Sequence, residues 1–182
     1  MSDNAATETT QTLADRIAIE DLLARYCRGI DRCDAEELEQ VFADDARIDY
    51  GDGPKPRGET IAGLMEGLRA MRLTQHNIGN TICRIAGVRA KAETYCVALH
   101  ILPGVDEDTE LVVGGRYLDT LVKVENTLGA HEWRIAERLY IMDWNRQGPA
   151  TMQTSGGLFE TLARRGKRQP DDPSCDWWAE GV

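Results

Sequence analysis

The chain of 182 residues has no apolar run longer than a few residues, so none of it is long enough to span a bilayer as a helix. Its polar opening, Met1 to Thr12, lacks a signal-peptide core, and the expected location is the cytoplasm. There is no basic stripe either. Acidic residues number 31 against 21 basic ones, a formal charge of −10, which argues against a nucleic-acid-binding surface and leaves small neutral or weakly polar molecules as partners. The five cysteines, Cys27, Cys33, Cys83, Cys96 and Cys175, are odd in number and show no CxxC spacing. That excludes a disulfide framework or a zinc knuckle and predicts buried, reduced thiols. Only three histidines occur, with no H-x-x-E-H type spacing, so no metal site is expected. Internal repeats and low-complexity tracts are absent.

What is present suits one well-buried core: 42% of the residues are apolar. Residues 1–12 are expected to be a flexible N-terminus, 13–146 the domain, and 147–182 a tail that covers a pocket or contacts a subunit. A first helix is predicted from Thr12 as N-cap, with Leu13, Ile17, Leu22 or Leu23, Tyr26, Cys27 and Ile30 as its apolar stripe. Asp34 and Glu37 form a capping box for a second helix carrying Leu38, Val41 and Phe42, which Asp44 and Asp45 close. A short strand, Ala46 to Tyr50, and a third helix from about Gly58 to Met71 follow, the latter weakened locally by Gly63 and Gly67. Four segments then have strand composition, about 75–85, 90–102, 111–124 and 132–145, joined by short turns. Three helices followed by a meander predict an α+β cone, with the helices packed on a curved antiparallel sheet whose concave face forms a pocket. Trp177 and Trp178, adjacent in the polar tail, each have a large apolar surface to bury.

Two residues far apart in sequence carry the chemistry. Asp31 falls near the end of the first helix, where the dipole disfavours an acid, and His76 opens the first long strand. A carboxylate that orients and charge-stabilises an imidazole makes a general base near neutral pH. Strand alternation groups His76, Ile78, Asn80 and Ile82 on one face, and Thr94, Cys96, Ala98 and His100 on another. On the last strand it sets Arg134, Ala136, Arg138, Tyr140, Met142 and Trp144 against Trp133, Ile135, Glu137, Leu139 and Ile141. His131 falls in a turn and is expected in solvent.

The order of elements resembles the SnoaL-like branch of the NTF2-like superfamily over about Leu13 to Asn145. The resemblance is carried by Leu22-Leu23-Ala24-Arg25-Tyr26, Gly29-Ile30-Asp31, Val41 to Ala46, Tyr50-Gly51, His76-Asn77, Gly114-Gly115-Arg116-Tyr117 and Trp133 to Arg138. Within that branch the chain is similar to the group containing scytalone dehydratase, hexachlorocyclohexane dehydrochlorinase, bile acid dehydratase and lyases of lignin-derived diaryl compounds. The resemblance implies no metal and no organic cofactor, with an Asp on the first helix and a His on the following strand moving a proton; Asp31 and His76 match those positions. It also implies roles for Tyr26 as a pocket tyrosine, Tyr50 as a substrate-facing tyrosine and His100 as a second histidine. Met142 stands where the bile acid enzymes have an arginine, and the nearest arginine on that strand before it is Arg138.

The expectation is thus a cofactor-independent lyase. His76, oriented by Asp31, abstracts a proton, and water, formaldehyde or halide leaves with a proton from Tyr26, Tyr50 or His100. Asn80, Arg116, Arg138 and Trp144 are the expected substrate contacts, and an aromatic or polycyclic small molecule the expected substrate. An isomerase, a polyketide cyclase and a non-catalytic binding or association module are the alternatives the same fold allows. A homo-oligomer is expected, a trimer in preference to a dimer by resemblance to the dehydratases.

Overall fold

Thirty-one residues without an internal proline form the long helix α1, Ser2–Arg32, in the computed structural model, which describes residues 2–126, 129–153 and 155–180. The helix begins at Ser2, not at Thr12, because nothing between them breaks it. Its buried stripe is Asp15, Ile19, Leu22, Leu23, Tyr26, Cys27, Ile30 and Asp31, while Leu13 and Ile17 point outward. Asp15 is tolerated inside because Trp133 Nε1 and Lys123 Nζ both donate to it, at 3.1 and 2.7 Å. At the other end Cys33 takes a left-handed conformation (φ 52°), with Cys33 N–H donated to the Ile30 carbonyl and Asp34 N–H to that of Gly29. This is a Schellman closure with a non-glycine residue at its turning point, and it reverses the chain directly after Asp31.

Asp34 then caps α2, Ala35–Val41, by accepting from Glu37 N–H. The reciprocal half of the expected capping box is missing, since Glu37 pairs with Arg25 instead. α2 packs close on α1 at Gly29, where an added Cβ would lie 2.7 Å from Leu38. Phe42 to Asp45 do not close that helix: they begin β1, Phe42–Asp49. β2 (Lys55–Pro56) and α3 (Arg57–Arg69) follow, then β3 (Leu73–Ala86), β4 (Arg89–Leu102), β5 (Thr109–Glu125) and β6 (His131–Pro149). The short helices α4 (Leu158–Thr161) and α5 (Pro173–Ala179) complete the chain. The expected boundary at 146 falls inside β6.

The six strands form one open sheet in the order β2-β1-β6-β5-β4-β3. β3 to β6 are an antiparallel meander, as their short connections require, and β1 joins β6 in parallel. The architecture is the α+β one expected, helices against a curved, unclosed sheet. Bulges between Ile78 and Thr81, Gly114 and Gly115, and Thr120 and Leu121 curl the sheet around α1. The core lies between the two, with Leu121, Ile135, Ile48 and Phe42 meeting Ile19, Leu23 and Tyr26. Among the described residues no helix is long and apolar enough to cross a membrane.

Each bulge also reverses the side-chain alternation beyond it. On β3 it turns Ile82 and Asn80 outward and Cys83 inward. On β6 it places Trp133 and Ile135 inside, then Arg138 and Tyr140, so the expected single face from Arg134 to Trp144 does not exist. Trp177 and Trp178 stay largely exposed and touch each other edge to face, their centroids 4.6 Å apart.

Candidate active site

Asp31 sits on the last turn of α1, where helix and sheet edge converge. β3 is paired on one side only, and the N–H of His76 is donated to Asp31 Oδ2 at 2.8 Å. The other carboxylate oxygen lies 2.7 Å from His76 Nδ1. A carboxylate only accepts, so Nδ1 carries a ring proton, and the imidazole lines a cavity. Both side chains are more than nine-tenths buried, which protects the bond from competing water.

The cavity has a volume of about 290 Å³. His76, His100, Tyr26 and Tyr50 line it together with Tyr117, Tyr140 and mostly aliphatic residues, and among the described residues no carboxylate, lysine or arginine does. His100 stands edge to face with His76, the ring centroids 5.4 Å apart. Burial and the neighbouring His76 hold its pKa below the ordinary histidine value, so it is a neutral imidazole at pH 7. Its Nδ1 is buried, with no hydrogen-bond partner among the described residues.

The hydroxyls of Tyr26 and Tyr50 are bonded at 2.7 Å. Burial raises both pKa values, Tyr26 the more strongly, so both remain protonated. Beneath them Arg138 is fully buried and donates to both oxygens of Asp119 at 2.7 Å. Its guanidinium is stacked between the rings of Tyr26 (3.9 Å to the centroid) and Tyr117 (4.1 Å). This internal pair supports the tyrosine floor, and losing one partner would strand a charge at a cost of about 3–5 kcal/mol.

Fold curvature brings together Asp31, His76, Tyr26, Tyr50 and His100. The four expected substrate contacts are not brought in. Asn80 is exposed beside the β3 bulge. Arg116 points to the outer face of the sheet, bonded to Asp143 and Glu93. Trp144 packs on the outer side over Gly114, whose added Cβ would collide with the indole at 2.1 Å. Arg138 lies under the floor and not in the cavity.

Sequence reasoning missed Tyr117, Tyr140, Gly63 and Gly67 as lining residues. One signal was available. A glycine inside a strand marks a close approach, and a Cβ on Gly115 would sit 2.7 Å from the Tyr140 hydroxyl. Four cysteines are buried as expected, and burial pushes the Cys27 thiol up to about 12; Cys175 is partly exposed. Among the described residues no three His, Cys, Asp or Glu side chains converge to hold a metal ion.

Comparison with known proteins gives a consistent picture. The model of the SnoaL-like domain matches residues 11–139. An uncharacterized protein of Mycobacterium tuberculosis, Rv2910c, is 30% identical over 132 residues, covering 70% of this chain and 84% of its own. Among solved structures, a scytalone dehydratase-like protein from Novosphingobium aromaticivorans is 25% identical with a TM-score of 0.66, covering 76% of this chain and 90% of its own. Hexachlorocyclohexane dehydrochlorinase LinA-type3 from Novosphingobium barchaimii shares the fold at 18% identity and a TM-score of 0.64, covering 79% and 94%.

Proposed function

The chain belongs to the SnoaL-like domain family, and from that premise we propose that it is a cofactor-independent lyase acting on a small uncharged ring compound. The observation that carries the reading is the Asp31–His76 bond at the wall of a hollow. In the proposed reaction His76 Nε2 removes a proton from a carbon next to the one bearing the leaving group. The freed electron pair forms the carbon–carbon double bond as the leaving group departs, taking a proton from the Tyr26–Tyr50 hydroxyl pair. Asp31 stabilises the imidazolium formed in this step. His100, neutral at pH 7, serves less well as the acid than the two hydroxyls.

Three further facts support this reading. Among the described residues the lining, apart from its two histidines, is mostly aromatic and aliphatic with no carboxylate, lysine or arginine, which suits a neutral aromatic or alicyclic substrate. The volume lies near the lower end of ligand-site sizes, which favours one or two rings over a larger polycycle. The similar proteins include one described as scytalone dehydratase-like and a dehydrochlorinase.

The test is turnover of hydroxylated and halogenated one- and two-ring compounds, followed by product mass. A product lighter by water or hydrogen halide is expected, and replacing His76 by Ala is expected to cost at least about a hundredfold. An unchanged product mass would make the enzyme an isomerase. A loss below about tenfold in His76→Ala would remove the imidazole from the mechanism.

A further inference from the structure

Arg168 lies between α4 and α5, outside the residues matched by the family model. Its guanidinium nevertheless reaches the catalytic end of the molecule and donates to oxygens on three elements. These are the main-chain carbonyl of Asp31 on α1, Thr74 Oγ1 on β3 at 2.8 Å, and the Leu68 carbonyl on α3 at 3.1 Å. Asp31 and Leu68 stand in the last turns of their helices, where a cation is favoured by the dipole, and the Leu68 carbonyl accepts from Met71 N–H as well. Thr74 precedes His76 by two residues on the same inward face of β3 and is itself buried. The planar five-donor fork of arginine thus ties the turn bearing Asp31 to the strand bearing His76, by a route separate from their own bond.

We propose that Arg168 is a positioning residue that fixes the Asp31 carboxylate against His76. The proposal rests on the lyase reading for its kinetic consequence, though not for its structural one. The segment bearing Arg168 is anchored independently. Gln169 N–H is donated to the Arg32 carbonyl at 2.6 Å and Gln169 Nε2 to Asp34 at 2.6 Å, and Asp172 accepts from Arg32 and from Lys167 N–H. Removing the Arg168 side chain therefore leaves the segment docked and takes away only the three-way tie. Charge adds to geometry, since the guanidinium also disfavours a proton on His100, the second imidazole of the cavity.

The experiment compares Arg168→Gln and Arg168→Lys with the unaltered protein in two measurements. The first is amide hydrogen exchange at His76, whose N–H is held by Asp31, against Leu121 at the buried centre of β5. Arg168→Gln is expected to speed exchange at His76 by about tenfold or more while Leu121 stays within about threefold, with Arg168→Lys between. The second is steady-state kinetics, where kcat is expected to fall by about a hundredfold with KM nearly unchanged, because a small misplacement of a catalytic group costs that much. Unaltered exchange at His76, or exchange rising there only in parallel with Leu121, overturns the proposal, the latter outcome meaning that Arg168 merely stabilises the fold. Should Arg168→Gln not fold, Arg168→Lys decides: intermediate exchange at His76 supports the positioning role and unchanged exchange ends it. If His76→Ala retains full turnover, the lyase reading falls while the exchange comparison still decides the role of Arg168.

Discussion

The Asp31 carboxylate holds His76 at two points, the ring Nδ1 at 2.7 Å and the backbone N–H at 2.8 Å. One side chain thereby fixes the tautomer of the imidazole and ties its strand to the end of α1. The two oxygens have distinct tasks, and a neutral amide cannot perform both.

Asp31→Asn is accordingly expected to lower kcat by about a hundred- to ten-thousand-fold with little change in fold. An asparagine offers one acceptor oxygen and one N–H donor group. If the amide nitrogen faces Nδ1, the ring proton moves to Nε2 and the base is lost; if the oxygen faces Nδ1, the backbone N–H of His76 is left unpaired. Steady-state kinetics with circular dichroism checks this, and turnover within tenfold of the unaltered protein would contradict it.

Stability is expected to fall as pH drops below about 6.5, and His100 is the cause named by the structure. Burial, then the nearby His76 and also Arg168, depress its pKa, while the Leu111 backbone and Asp31 act in the opposite direction. Below the ordinary histidine value the unfolded chain binds a proton at this residue that the folded chain does not, so unfolding is favoured as pH falls. Urea unfolding of the protein and of His100→Asn at pH 7.5 and 5.5 provides the check. The stability difference, unaltered protein minus variant, should be smaller at the lower pH, and a constant difference would show that His100 is not the group responsible.

Gly63 and Gly67 lie one turn apart on α3 and line the cavity, with no atom within 4 Å of an added Cβ at either. Close packing therefore does not explain glycine at these positions, and what their absent side chains leave is room for an occupant. Gly63→Ala and Gly67→Ala should each stabilise the helix by about 0.5–1 kcal/mol, seen as a higher urea midpoint. Gly67→Leu should instead lower turnover of two-ring substrates relative to one-ring substrates by about tenfold or more. Equal turnover of both in the leucine variant would place the substrate elsewhere.

Much of the fold follows from short-range pattern. The four long strands lie within about two to four residues of their predicted limits because their alternation and turn residues act locally. Asp34 caps α2 as its type and spacing predict. Where pattern failed, a long-range event intervened. Asn80 and Trp144 were expected to face the pocket by counting alternate residues, and bulges near each reset the count. Arg116 and Arg138 are both strand arginines near acidic partners, yet one lies on the outer face with Asp143 and Glu93 and the other is sealed inside with Asp119. Arg168 was invisible for a related reason, since no periodicity marks an irregular segment that returns to cap two helices.

The sequence by itself determined the class of the fold, the order of its elements and the residue types available for proton transfer, because hydrophobic period, caps and turns act over a few residues. Which of those side chains meet was decided only by tertiary structure. The curl of the sheet, set by where each strand bulges, and the closure of α1 onto its open edge bring Asp31 to His76 and turn Trp144 and Arg116 outward. Such contacts depend on the register of strands across the whole chain, which no local pattern encodes.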